Sequence, residues 1–278
     1  MPPTTLKIEN ATTTGVQTLY HYQKYDEQHL IDLLKTRSIY CSNLGNLNDP
    51  WDSTFAFRID DYESAAGTAE ALIATAQPSR HGPEYDRMMD RRLAENPGLL
   101  RSVIDNLTQI VEAHNIESRR IYCLTLVVTS TLMWSHYSEN HKGLCLEFAV
   151  KPDNVFATAF KVIYKEEFIP FELYQQDSAS FLPFLVKAEC WKYEEEYRLF
   201  LRVHDPSAPY PFPEHMRVED NRIRLPEGSL ASIVVGCLTP EHHAVRVRDL
   251  IAEHWPEVKL KRMFRHRYKY ELEVREVD

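Results

Sequence analysis

The chain has 278 residues, 44% of them hydrophobic and 26% charged, and carries a net charge of −9. That composition supports a globular core, while the acidic balance argues against general, sequence-blind nucleic-acid binding, which draws on an excess of Lys and Arg. No run of about 18 apolar residues occurs, so no membrane partner is expected, and the polar, Thr-rich start lacks the apolar stretch of a secretory signal.

The five cysteines (Cys41, Cys123, Cys145, Cys190 and Cys237) are odd in number and widely spaced. They read as buried thiols of a cytoplasmic, reducing compartment rather than as a disulfide framework or a zinc site. With only 8 glycines and neither common glycine-rich phosphate motif, the easy routes to a P-loop ATPase or a Rossmann dehydrogenase are closed.

In chain order, residues 1–17 are expected to be a flexible segment ahead of a single domain over 18–278. The TLYHY stretch (Thr18–Tyr22) predicts a strand, and Asp26 caps a helix whose Leu30, Leu33 and Leu34 recur at helical spacing. Ser38–Ser42 predicts a second strand, followed by a turn-rich loop that ends in Asn48-Asp49-Pro50, and Phe55–Ile59 suits a short strand. From about 62 to 118 the pattern is helical, cut by Pro78, Pro83 and Pro97. Leu100, Val103, Ile104, Leu107, Ile110 and Val111 form one apolar stripe there. This reads as a helical insertion covering the sheet.

The continuous apolar run Ile121–Val128 predicts a buried strand. Ser130 or Thr129 caps a helix over Leu132 to about His141, which Gly143 stops. Strands follow at Leu144–Val150 and Phe160–Tyr164, a helix at Phe181–Cys190, a strand at Tyr193–Val203, a buried strand at Ile233–Leu238 and a helix at Glu241–His254. Period-two alternation from Val258 to Val274 predicts a last strand with one buried and one basic face. That basic face, Lys259 to Lys269, reads as a solvated or edge-protecting surface, or as a place for phosphates. The fold class is α+β: a central mixed β-sheet with a helical insertion and flanking helices.

Three polar-aromatic segments are expected to meet and carry the chemistry. On a strand, Glu194, Glu196 and Arg198 would point to one side, the two carboxylates about 7 Å apart. Like charges so placed repel, and a strand selected for stability alone rarely carries them, although Arg198 offsets one. Trp134-Ser135-His136-Tyr137 opens a helix straight after a buried strand, a usual place for ligand contacts; its helix N-terminus offers N–H groups to an anion. Trp134 also reads as a core aromatic. Asn48-Asp49-Pro50 is a turn by composition, and His21, between Tyr20 and Tyr22, is a weak candidate alone.

Taken together, LYHY, SIYCSNLGNLNDPWD, LMWSHYSENHKGLCLEF and CWKYEEEYRLF resemble the bacterial family catalogued as domain of unknown function 2971. A looser resemblance, to the ADP-ribosyltransferase layout, comes from the opening strand with His21, the helix after it and a late strand with Glu. It implies that His21, beside Tyr20, holds the ribose of NAD, that Tyr137 or Trp134 stacks on nicotinamide, and that Glu194 or Glu196 stabilises the ribosyl cation. On this reading the chain is an NAD-consuming toxin or antiphage effector. Two other classes compete with it. One is a non-catalytic module that binds a small ligand or a partner. The other is a metal-dependent nuclease or phosphodiesterase using Asp49, Glu147, Glu194, Glu196 and His136 around Mg²⁺ or Mn²⁺, with the basic strand holding nucleic acid.

Overall fold

The computed structural model describes residues 7–54, 91, 97–167, 179–203 and 217–277. Their elements, in order, are β1 (Thr18–Gln23), α1 (Glu27–Thr36), β2 (Ser38–Tyr40), β3 (Ser42–Asn43), α2 (Pro97–Ser118), β4 (Arg119–Thr125), α3 (Thr131–Tyr137), β5 (Leu144–Ala149), β6 (Phe160–Lys161), β7 (Ile163–Lys165), β8 (Val186–Ala188), β9 (Glu196–Val203), β10 (Arg217–Val218), β11 (Arg222–Arg224), β12 (Leu230–Val235), α4 (Glu241–His254), β13 (Lys259–Arg265) and β14 (Leu272–Glu276). The expected strand over Phe55–Ile59 and the first two thirds of the expected helical insertion lie outside the described residues, as do most side chains of its apolar stripe. Of that stripe, Ile110 is exposed.

The chain divides into two compact units. One comprises residues 1–43, 119–162 and 191–278; the other comprises 44–118 and 163–190. The second unit contains α2, the parallel pair β7–β8 and the loop with Asn48 and Asp49. Here the expected helix over Phe181–Cys190 is instead a 3₁₀ turn, strand β8 and the start of another 3₁₀ turn. Pro183, inside the first turn, has no N–H to give to an α-helical ladder.

The first unit is built on a mixed sheet of order β10-β9-β4-β1-β5-β12-β13-β14, with β3 beside β4 and β6 beside β9. The β12–β13 and β9–β10 pairs are parallel. Helix α4 supplies the crossover that a parallel β12–β13 pair requires. Asp26 caps α1 by accepting from the His29 N–H at 2.9 Å, so the opening strand-helix-strand expectation holds. The residues ahead of β1, expected to be a flexible segment, carry contacts of their own. Ala11 is buried, its N–H donates to the Ala159 carbonyl at 2.8 Å, and Asn10 bridges to Phe160.

The two faces of this sheet differ. One face carries Leu19, Tyr122, Leu124, Leu146, Phe148, Tyr197, Leu199 and Ile233. It packs with Leu30, Leu33 and Leu34 of α1 and Val247, Leu250 and Ile251 of α4 in the main core. The opposite face meets α3 through a smaller cluster of Tyr22, Met133, Trp134, Cys145, Val234 and Met263. Along the same face, the pairing sets Glu196 opposite Thr125, Thr125 opposite Tyr20, Tyr20 opposite Glu147 and Glu147 opposite Ser232. Ser232 and Lys261 both donate to the Glu147 carboxylate. A row of polar groups therefore crosses five strands.

The long alternation from Val258 to Val274 does not form one strand. It folds as the antiparallel hairpin β13–β14, and Tyr268 and Tyr270 stand exposed in its turn. Met263 has the parity expected to be wet, yet it is buried because β13 has the α3-face cluster beneath it. All five cysteines are free thiols. Burial pushes Cys41 up to about 12, whereas Cys190, expected to be buried, is exposed. Among the described residues no helix is long and apolar enough to cross a membrane.

Candidate functional site

Two of the three expected segments come together in the first unit. Ser130 caps α3, its hydroxyl accepting from the Met133 N–H. The short helix then presents Trp134, His136 and Tyr137 in different directions. Trp134 points inward: it is 0% exposed, its Nε1–H donates to the Val128 carbonyl at 2.7 Å, and its ring meets Tyr22 edge-on at 5.1 Å. A ring so enclosed and satisfied is a core residue and cannot stack on a ligand, which corrects that part of the reading.

Tyr137 lies at the margin of the same cluster, and its hydroxyl donates to Oε1 of Glu194 at 2.6 Å. His136 is exposed and stands 6.2 Å from the Tyr137 ring and 6.4 Å from the Tyr193 ring. The carboxylate of Glu194 is thus bonded to Tyr137, whose ring belongs to a loose group with His136 and Tyr193.

The expected strand over Tyr193–Val203 begins later than its alternation implies. Glu194 closes a 3₁₀ turn, and Glu195 adopts a left-handed φ of 44°; β9 starts only at Glu196. Glu194 and Glu196 therefore do not sit side by side on one strand. The turn is pinned to β4, since the Thr125 hydroxyl donates to the Glu194 carbonyl and the Leu126 N–H to the Glu195 carbonyl. Both carboxylates are nearly dry, with Glu194 2% and Glu196 3% exposed.

Glu196 and Arg198 do share a side. The guanidinium of Arg198, 0% exposed, makes a fork with Nε 2.7 Å from Oε1 and Nη2 2.9 Å from Oε2. Two parallel charge-assisted bonds fix both groups, so Glu196 is committed to a buried ion pair and Glu194 to the aromatic group.

His21 is not part of this arrangement. Successive residues of a strand face opposite ways, and Tyr20 is the residue in register with Thr125 and Glu196. The His21 ring therefore lies on the other face, stacked on Tyr122 at 4.1 Å, with Nδ1–H donating to the Cys123 carbonyl at 2.7 Å. Burial lowers its pKa to about 4, so it is neutral at physiological pH. It cannot share a cleft with Glu196 or Tyr137, which corrects the expected ribose-holding role. Tyr20 is on the correct face, its hydroxyl pushed up to about 12 by burial and by Glu147.

Asn48 and Asp49 belong to the second unit. Asn48 is exposed, and the Asp49 carboxylate accepts from the Trp51 N–H at 2.9 Å, an Asx turn closed on its own backbone. Asp49 also lines a small cavity of about 180 Å³ with Asp52, Glu112 and Asn115. Among the described residues no group of three or more His, Cys, Asp or Glu side chains is placed to hold a metal ion. Two of the acids named for a metal site are otherwise engaged, Glu147 with Lys261 and Glu196 with Arg198.

A second feature escaped the sequence reading. His141 lines a cleft of about 750 Å³ together with the β13–β14 turn. Glu139, Asn140 and His141 all have positive φ, at 48°, 54° and 69°. The Asn is the one signal that could have marked a left-handed turn there.

The fold and the site thus define an α+β protein built on a mixed sheet, with a nearly dry carboxylate, Glu194, held by the Tyr137 hydroxyl. The family model described as protein of unknown function (DUF2971) matches residues 133–199, a stretch that includes His136, Tyr137, Glu194, Glu196 and Arg198. Neither the curated proteins nor the solved structures include a match to this chain.

Proposed function

We propose that the chain is an NAD-consuming enzyme of the ADP-ribosyltransferase kind, with Glu194 as its catalytic carboxylate. The observation that supports this most is the hydrogen bond from Tyr137 to Glu194, which fixes a nearly dry carboxylate next to a tyrosine whose ring lies 6.2 Å from the exposed His136 imidazole. In the reaction the C1′–N bond of the nicotinamide riboside breaks and its electron pair leaves with nicotinamide, which departs neutral. Positive charge develops on the ribose as in glycoside hydrolysis. A carboxylate fixed in advance in a place with little water stabilises that charge strongly. Water or an acceptor nucleophile then adds to C1′ and loses a proton.

In this scheme Tyr137 positions Glu194, while His136 and Tyr193 supply ring faces for the flat leaving group. The Glu196–Arg198 pair is scaffold, holding the start of β9. Tyr20, rather than His21, is the β1 residue on the reacting side.

The test is hydrolysis of NAD, followed by the release of nicotinamide, in the full chain and in Glu194→Gln and Glu196→Gln variants. Glu194→Gln should lose turnover by about 10²-fold or more while keeping a native circular-dichroism spectrum. Glu196→Gln should be impaired mainly in stability. An unmodified chain that neither binds nor consumes NAD refutes the proposal, and equal turnover in the Glu194→Gln variant removes Glu194 from it.

A further inference from the structure

We infer that the cleft between the His141 loop and the β13–β14 turn is a second ligand site, built for a nucleotide through its phosphates and its base. The cleft measures about 750 Å³ and is lined by His141, Cys237, Arg265, Arg267, Lys269 and Tyr270, among others. That volume suits a small molecule of nucleotide size. The protein as a whole is acidic, at −9, yet three cations and one carboxylate, Glu271, line this cleft. Glu271 is only loosely engaged, 3.7 Å from Lys269. Among the described residues neither Arg265 nor Arg267 has a carboxylate within ion-pair distance. A local excess of guanidinium groups in an acidic chain attracts anions, and Arg pairs with phosphate oxygens in two-pronged fashion.

Exposed aromatic rings border the same cleft. Tyr268 and Tyr270 are 79% and 108% exposed. They lie in a turn, where they contribute nothing to a core, and the Arg267 guanidinium sits over the Tyr268 ring at 5.3 Å from its centroid. Exposed rings alternating with cations are the elements of a stacking platform with a phosphate track beside it.

His141 supplies the third strand of the case. Its Nδ1 is buried and has no hydrogen-bond partner among the described residues, although buried polar atoms are as a rule satisfied. Its backbone is held in place at a cost. Three successive non-glycine residues adopt the left-handed region, a strained backbone that persists because the surroundings demand it. The His141 N–H donates to the Trp134 carbonyl and its own carbonyl accepts from Leu238, each at 3.0 Å. The strained loop thus sets His141 in the cleft wall with a ring whose buried Nδ1 is still unsatisfied. Burial lowers the pKa of His141, which keeps the ring neutral and able to give or take a hydrogen bond.

The inference does not depend on the NAD reading, and the experiment separates the two. Titration calorimetry uses inorganic pyrophosphate and ADP against the full chain, the R265A/R267A/K269A variant, the Y268A/Y270A variant and the E194Q variant. The exposed turn tolerates both multiple substitutions, as intact melting curves will verify. Pyrophosphate should bind the unmodified chain and E194Q alike and lose at least about tenfold in affinity in R265A/R267A/K269A. ADP should bind more tightly than pyrophosphate, and Y268A/Y270A should remove that advantage. Pyrophosphate that does not bind the unmodified chain, or binds the triple variant equally, overturns the site. ADP that binds no more tightly than pyrophosphate overturns its assignment to nucleotides. NAD turnover plays no part in any of these outcomes.

Discussion

Gly236 lies just after β12, under the His141 loop, and its replacement by alanine tests that loop directly. A Cβ built at Gly236 falls 2.1 Å from the His141 carbonyl oxygen and 2.7 Å from its carbon, where ordinary contact begins at 3.4 Å. The obstruction is backbone, so no rotamer change relieves it. The loop must retreat by more than about 1 Å, and overpacking of this kind costs about 1–3 kcal/mol. The retreat also pulls the His141 carbonyl from the Leu238 N–H, now 3.0 Å away, at about another 1 kcal/mol. Together Gly236→Ala should destabilise by about 3 kcal/mol and lower the melting temperature by roughly 6–10 °C. Calorimetry of the full chain measures the melting shift, and hydrogen exchange of a peptide containing Leu238 reports the local bond, which should open faster in the variant. An alanine variant that melts within about 1 °C of the parent with Leu238 equally protected refutes the close approach and the placement of His141 that depends on it.

Two further substitutions address the sheet. Arg198→Met leaves the Glu196 carboxylate buried without its guanidinium and should cost about 3–5 kcal/mol in urea denaturation. Adding Glu196→Gln should recover part of that loss, and strictly additive effects would show that the pair is not coupled. His21 gives a pH dependence. Its pKa is lowered from 6.5 to about 4 by burial, so between those values the unfolded chain takes up a proton that the folded one refuses. Stability is fully present above pH 6.5 and falls as the pH drops towards 4, by about 3 kcal/mol from this group. His21→Phe should flatten that slope, and an unchanged slope would assign it to other groups.

Local signals were legible in the sequence wherever a local rule governs the outcome. The Asp26 cap and the Leu30, Leu33, Leu34 spacing gave α1, the Ser130 cap gave α3, and Glu241–His254 emerged as α4 with the predicted bounds. Of the three segments expected to meet, the WSHY helix and the acidic segment are joined by the bond from Tyr137 to Glu194. What was hidden is non-local. Whether His21 or Tyr20 faces Glu196 depends on the register of β1 against β4, which no local pattern encodes. Alternation alone cannot locate the left-handed Glu195 that separates the two glutamates. Nor can it locate the turn at 266–271, because period two continues through a hairpin when the turn itself is polar and aromatic by chance.

The polar row on the α3 face has a consequence for folding itself. Glu196, Thr125, Tyr20, Glu147 and Ser232 face one way across five strands, with mostly apolar neighbours facing the other. A slip of one residue anywhere in this series inverts the slipped strand and drives a carboxylate or hydroxyl into the hydrocarbon layer beneath α1 and α4. Such a group, stranded without its partners, costs several kcal/mol. The row thus acts as a register lock that penalises each misaligned pairing individually, which a uniformly apolar sheet could not do.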